Sequence, residues 1–168
     1  MRPLYNVLSM KLCISTAEIL WNAYNDNDLP MFHNLSSLKI NGNHWLCSKC
    51  YAWHAIYLLL SRAPKLQVLV FELHPHCLRS CYAPKDQLEE PLDVPECLSS
   101  HLTTCHYKTL LGKNFEMEIV RKILKAARVL KTMNITVESH LSSKAKLRIC
   151  QKLMKFRRSS KTCQITFE

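Results

Sequence analysis

The sequence predicts an α/β fold of parallel strands joined by helical crossovers, and three observations lead there. A short apolar motif recurs, the stretches between its copies carry helical periodicity, and polar or proline-rich segments divide them. The motif is an apolar residue, two others, an apolar residue, one other, and an apolar residue. Strong copies are Leu35/Leu38/Ile40, Leu66/Leu69/Phe71, Leu102/Cys105/Tyr107 and Leu130/Met133/Ile135. Weaker copies are Val7/Met10/Leu12 and Thr162/Ile165/Phe167. Their first positions are 28, 31, 36, 28 and 32 residues apart, an irregular period near thirty. Within each copy the last two apolar positions flank a polar or small residue, as in a strand with one buried side.

Helices are expected between the strands. Over 115–128, Met117, Val120, Leu124 and Ala127 recur at helical spacing, with Asn114 placed as N-cap and Glu118 in the first turn. Over 144–156, Leu147, Cys150 and Met154 form one stripe, and Ser142 or Ser143 stands near its start. A third helix over 52–61 is stopped by Pro64, which cannot continue a helix. Segments 25–30 and 83–95, the latter proline-rich and acidic, read as loops. The second of these marks the boundary between a repeat region, 1–93, and a C-terminal domain, 94–168.

Parallel strands need a long crossover, and the helices over 52–61, 115–128 and 144–156 supply it in three of the intervals. In repeat form the pattern is an irregular leucine-rich-repeat-like solenoid fragment, with parallel strands and helices on the convex face. The same elements suit an ordinary open α/β sheet, and periodicity alone leaves that alternative open.

Composition narrows the function. With 48% hydrophobic and 21% charged residues, the 168-residue chain is globular. No basic-then-apolar leader occupies 1–20, so the nine cysteines are expected to be reduced thiols in a cytoplasmic or nuclear protein. The apolar run 55–60 falls far short of the roughly 20 residues that span a bilayer, so no membrane partner is expected. Residues 1–110 hold 9 Lys/Arg and 9 Asp/Glu, whereas 111–168 hold 14 and 4. That excess is expected to sit on solvated helix faces, as at Lys122, Lys125, Lys146 and Lys152. A basic nucleic-acid-binding protein is the second reading, but aromatic residues are not interleaved with the basic run 144–161, as base stacking would need.

Chemistry-bearing motifs are weak. Gly42 and Gly112 are the chain's two glycines, too few for a phosphate-cradling loop. Cys47, Cys50 and His54 have metal-like spacing, and His74, His76, Cys77 and Cys81 could complete a site. Helix and loop composition explains them as well, so neither a metal nor any other cofactor is expected. Cys/His pairs lack a nucleophile-turn signature, and no enzymatic activity is expected. His33, His101 and His140 read as hydrogen-bonded loop or surface residues.

Leu29-Pro30-Met31-Phe32-His33-Asn34-Leu35 through Ile40 resembles a repeat of plant F-box/leucine-rich-repeat proteins, and Ala63-Pro64-Lys65-Leu66 through Glu72 resembles the next one. The block 94–168 is similar to their FBD domain in four ordered segments. These are Val94-Pro95-Glu96-Cys97-Leu98-Ser99-Ser100-His101-Leu102, Asn114-Phe115-Glu116-Met117-Glu118-Ile119-Val120, Ala127-Arg128-Val129-Leu130-Lys131-Thr132-Met133, and Arg158 through Phe167. The resemblance implies substrate recognition within an SCF ubiquitin ligase, with a protein as the partner. Family members dock on a Skp-type adaptor through an F-box; no such segment precedes Leu4, so adaptor docking is not expected. Residues flanking the inward apolar positions should project from the concave face and bind protein: Lys39, Asn41, Val70, Glu72, His106, Lys108, Asn134 and Thr136.

Overall fold

Residues 6–23, 29–42, 52–73 and 93–168 are described by the computed structural model. In chain order the elements are β1 (Ser9–Cys13), α1 (Ile14–Ala23), β2 (Ser37–Gly42), α2 (Ala52–Ser61), β3 (Val68–Leu73), α3 (Glu96–Ser100), β4 (Thr104–Leu110), α4 (Asn114–Ala126), β5 (Thr132–Val137), α5 (Ser143–Met154) and β6 (Gln164–Phe167). The fold is α/β: all six strands are parallel and lie side by side in sequence order. Each coincides with one copy of the motif, the two weak copies included. Of the expected loops, 25–28 and 83–92 lie outside the described residues, as do Cys47, Cys50, His74, His76, Cys77 and Cys81.

Period-2 alternation sorts the side chains into rows across the sheet. Met10, Leu38, Leu69, Cys105, Met133 and Ile165 align in one row, and Leu12, Ile40, Phe71, Tyr107, Ile135 and Phe167 in the next. On the four inner strands all eight residues of these rows are buried. The Phe71 and Tyr107 rings stack with centroids 5.5 Å apart, a pair worth about 0.5–1.5 kcal/mol beyond its area. Leu35, Leu66, Leu102 and Leu130, the first positions of the motif, are buried just before the strands, and helix residues such as Ile56, Leu60, Val120 and Ile123 close the same core. Burying each such side chain stabilises the fold by about 1.5–3 kcal/mol.

A backbone seam keeps the strands in step. The carbonyl oxygens of Leu8, Ser36, Gln67 and Thr103 each accept two successive amides at the start of the next strand, and that of Lys131 accepts from Gln164.

Helix positions follow the sequence closely for α2 and α4, with corrections elsewhere. Asn114 is the first helical residue, not the cap; Lys113 is the N-cap, and the first-turn acid that serves it is Glu116, not Glu118. Glu118 instead pairs with Arg121, one turn along. On α5 the buried residues are Ile149 and Leu153, whereas Leu147 and Met154 of the expected stripe are exposed. The helix presents Ile149 to Gly112, where a Cβ would come within 2.5 Å of Ile149 Cγ1. Ser142 caps α5, accepting from the Ala145 amide. Helices α1 and α3 were not anticipated; α3 spans only five residues after Pro95, and Cys97 ties it to α2 by donating to the Leu60 carbonyl at 3.3 Å.

Lys122, expected in solvent, is buried, with its ammonium 5.1 Å from the centroid of the Trp53 ring. Its aliphatic stem and cation both gain from the ring, an arrangement that residue type alone does not reveal. Lys125 and Lys152 are exposed and Lys146 is half-buried.

A buried carboxylate fixes the turn from β4 into α4. Glu116, fully buried, accepts from the Leu111 amide, from the Lys113 amide at 2.8 Å, and from the Tyr107 hydroxyl at 3.4 Å. Burial raises its pKa above the ordinary 4.5, and the hydrogen bonds that favour the charged form only partly oppose this. The folded state therefore binds this proton more tightly than the unfolded chain. The resulting stabilisation is complete below the unfolded value and is lost as pH rises through the raised folded value. Two outcomes are expected in denaturant unfolding. Glu116→Ala loses about 3 kcal/mol, since it orphans two amides and a buried hydroxyl; and the stability difference between the native chain and Glu116→Gln falls as pH rises from about 4. A loss under about 0.5 kcal/mol for the alanine variant would contradict this role.

Candidate interaction face

The second face of the sheet carries the polar half of the alternation. Lys11, Lys39, Val70, His106, Asn134 and Thr166 form one row, and Cys13, Asn41, Glu72 and Lys108 the next. Every one of these is half-buried or exposed. The described helices bury their residues in the core on the opposite side, so among the described residues no helix covers this face.

All eight expected positions fall here. Lys39, Asn41, Val70, Glu72, His106 and Asn134 are half-buried, while Lys108 and Thr136 are exposed. Seven of them join into two neighbouring rows, and Thr136 stands beside a bulge.

At the bulge, register shifts between Tyr107 and Leu110, so Lys108 and Thr109 together stand opposite Thr136. Thr109 has φ 61°, rare for a β-branched residue, and its hydroxyl donates to the Leu73 carbonyl at 2.9 Å. The side chain thus ties the bulged stretch of β4 to the end of β3, on the side away from β5. Nothing in the residue types announced this kink.

Side-chain bonds run across the strands. Lys39 and Glu72 form an ion pair between β2 and β3, with side chains 32% and 30% exposed; such a pair contributes about 0–1 kcal/mol. From β6, Thr166 donates to Asn134 Oδ1, and Asn134 Nδ2 lies 3.2 Å from His106 Nδ1. With the amide so oriented, Asn134 Nδ2 is the donor toward His106 Nδ1, and a neutral imidazole accepting there carries its proton on Nε2. His106 stands in its row between Val70 and Asn134, with Lys108 two residues on along the same strand.

The expected loop histidines divide. His33 and His140 are exposed, the latter 3.3 Å from Glu138, but His101 Nδ1 is shielded from solvent without a hydrogen-bond partner. Among the described residues no group of three or more His, Cys, Asp or Glu could hold a metal ion, and no described helix is long and apolar enough to cross a membrane.

A parallel α/β sheet with one face packed and the other polar and open defines a class of scaffold, and similarity supplies the relationship. Residues 89–135 match the FBD family. The chain is 28% identical to the FBD-associated F-box protein At5g56370 of Arabidopsis thaliana, over 98% of this chain and 38% of that protein. It is 32% identical to the F-box/FBD/LRR-repeat protein At3g52680 of the same plant, over 82% of this chain and 30% of that protein. It thus carries an FBD segment and is a homologue, over most of its length, of plant FBD-associated F-box proteins. The chain spans about a third of the length of the curated relatives it matches. No solved structure matches it.

The FBD match starts before α3 and ends within β5, so it takes in α3, β4 and α4, including the Glu116 turn. His106–Asn134 links two strands of that segment, and Thr166 extends the link to β6. Asn134→Ala is expected to cost about 1 kcal/mol and to leave the His106 tautomer unfixed, read by the imidazole nitrogen shifts in NMR. Unchanged shifts would contradict the relay.

Proposed function

We propose that this chain is a protein-binding module. In this reading it is a leucine-rich-repeat-like solenoid whose open sheet face holds a protein, in the manner of the substrate-recognition part of an SCF ubiquitin-ligase F-box protein. The observation that carries it is the alignment of seven of the eight expected residues into two adjoining rows, linked across strands by the Lys39–Glu72 ion pair and the His106–Asn134–Thr166 contacts. Sequential parallel strands at a period near thirty support the solenoid, and the F-box names of the relatives support the ligase context. The division at residue 94 is kept in this proposal, with the C-terminal unit completing the same sheet.

The face suits recognition and not turnover. Its groups are a donor-rich mixture held by cross-strand bonds, with no nucleophile beside a base and no oxyanion cradle among the described residues. A nucleic-acid partner is less well supported: the cations of 111–168 lie on α4, α5 and their connections, and Lys122 is buried over the Trp53 ring. The apolar rows are already used against the helices, so we propose that this stretch of chain does not itself hold a Skp-type adaptor.

Affinity capture with the purified chain from plant extract, quantified by mass spectrometry, tests the reading. The triple variant His106→Ala/Lys108→Glu/Asn134→Ala should lose bound protein by roughly 30-fold, the size of an interface hot spot, at little change in Tm. A control on α5, Lys152→Glu, should keep it, and the adaptor should not be enriched. Loss in the α5 variant with retention in the triple variant would overturn the open face as the interface.

A further inference from the structure

Helix α5 turns one apolar stripe away from the core. Ile149 and Leu153 are its buried residues, whereas Leu147 is 58% exposed and Met154 66%, with Cys150 half-buried between them. At about 100° per residue these three lie within about 60° of one another, so they form one ridge at i, i+3 and i+7. Singly exposed apolar residues are common, but a ridge of them at the spacing of a helix seam marks an interaction surface. Methionine suits such a surface, because its flexible thioether adapts to a partner.

The surrounding charge says what covers the ridge. Lys144, Arg148 and Lys155 are exposed and lie about 60–100° to one side of Leu147, in a row alongside the ridge. On the other flank Lys146 is half-buried. The stretch 139–167 holds eight Lys/Arg and no Asp or Glu. A second copy of this face would bring cation against cation. Duplex nucleic acid would use the basic row and leave Leu147 and Met154 in water. An anionic bilayer calls for an apolar face at least about 100° wide, and this one is narrower. An apolar ridge with cations along one side fits a second helix that has an apolar seam and acids along its matching edge.

We propose that the outer face of α5 is a docking site for an acidic amphipathic helix of a partner protein, whose apolar residues pack on Leu147, Cys150 and Met154 and whose carboxylates face Lys144, Arg148 and Lys155. The site lies on the helix side of the molecule, away from the open sheet face, so either can stand if the other fails. Lys152 sits about 140° round the helix from Leu147 and is outside the docking surface.

The test uses the full chain and a fluorescent synthetic helix of roughly 18 residues, with Leu at i, i+3 and i+7 spacing and Glu along one side. The helix should bind saturably at about 0.15 M salt with Kd on the order of 10 μM or tighter. Replacing its Glu by Lys, or its Leu by Gln, should weaken binding at least about tenfold. Leu147→Gln/Met154→Gln should also lose about tenfold or more at little change in Tm, because neither side chain is in the core and glutamine keeps helix propensity. Arg148→Glu/Lys155→Glu should lose the acidic helix and gain the Lys-bearing one, while Lys152→Glu keeps the acidic helix within about threefold. No saturation at about 100 μM, equal binding of the Gln-bearing helix, or unaltered binding in both double variants would overturn the proposal. So would binding of phosphatidylserine vesicles, or of a short DNA duplex, that is tighter than that of the helix and is lost in both double variants; the face would then belong to a membrane or a nucleic acid.

Discussion

Everything in this molecule depends on the parallel strands staying in step. The carbonyls of Leu8, Ser36, Gln67, Thr103 and Lys131 each receive the start of the following strand, so the spacing error of one repeat is not passed to the next. Because side chains alternate with period two, a slip of one residue in any strand would send its apolar set to the open face. Phe71, Tyr107 and Ile135 are fully buried or nearly so, whereas their neighbours Val70, His106 and Asn134 are half-exposed. The intervals vary between 28 and 36 residues, and the loops absorb the difference because loop-closure entropy grows slowly with length.

The C-terminal segment adds a second constraint at the helix ends. At one end of α4, Glu116 gathers the Leu111 and Lys113 amides and the Tyr107 hydroxyl. At the other, Ser159 donates its amide to Leu124 O and its hydroxyl to Lys125 O, satisfying carbonyls that a helix terminus leaves open. Ser160, itself buried, donates to Leu130 O at 2.6 Å. The chain between α5 and β6 thereby locks α4 against β5, and Gly112, at φ 76°, lets α5 pack close to the start of α4. The β4–β5 register itself sets His106 opposite Asn134.

The sheet was legible because burial on one side writes itself as alternation, and even the weak copies at Val7 and Thr162 carry it. The open-face residues followed from the same parity. What was not legible depended on contacts between distant residues. Leu147 and Met154 are as apolar as Ile149 and Leu153, and only the position of Gly112 and the β4–α4 turn decides which pair is buried. Lys122 looks like a surface lysine until Trp53, 69 positions earlier in the sequence, is brought under it. Asn114 is a good cap by type, but Glu116 reaching back to Lys113 and Leu111 moved the helix start one residue earlier. The Thr109 bulge and the short helix α3 leave no periodic trace at all.

The two-faced register itself can be measured directly with thiol chemistry. Cys105 is fully buried on the apolar face, and burial raises its thiol pKa far above the ordinary range; Cys97 is likewise pushed up to about 12. Position 106, one residue on, faces the open side. In His106→Cys, maleimide labelling followed residue by residue with mass spectrometry should modify position 106 quickly. Cys105 should react only as fast as the whole domain unfolds, at least about 100-fold more slowly. Equal labelling of Cys105 and position 106 under native conditions would contradict the register, and with it the face on which the proposed partner sits.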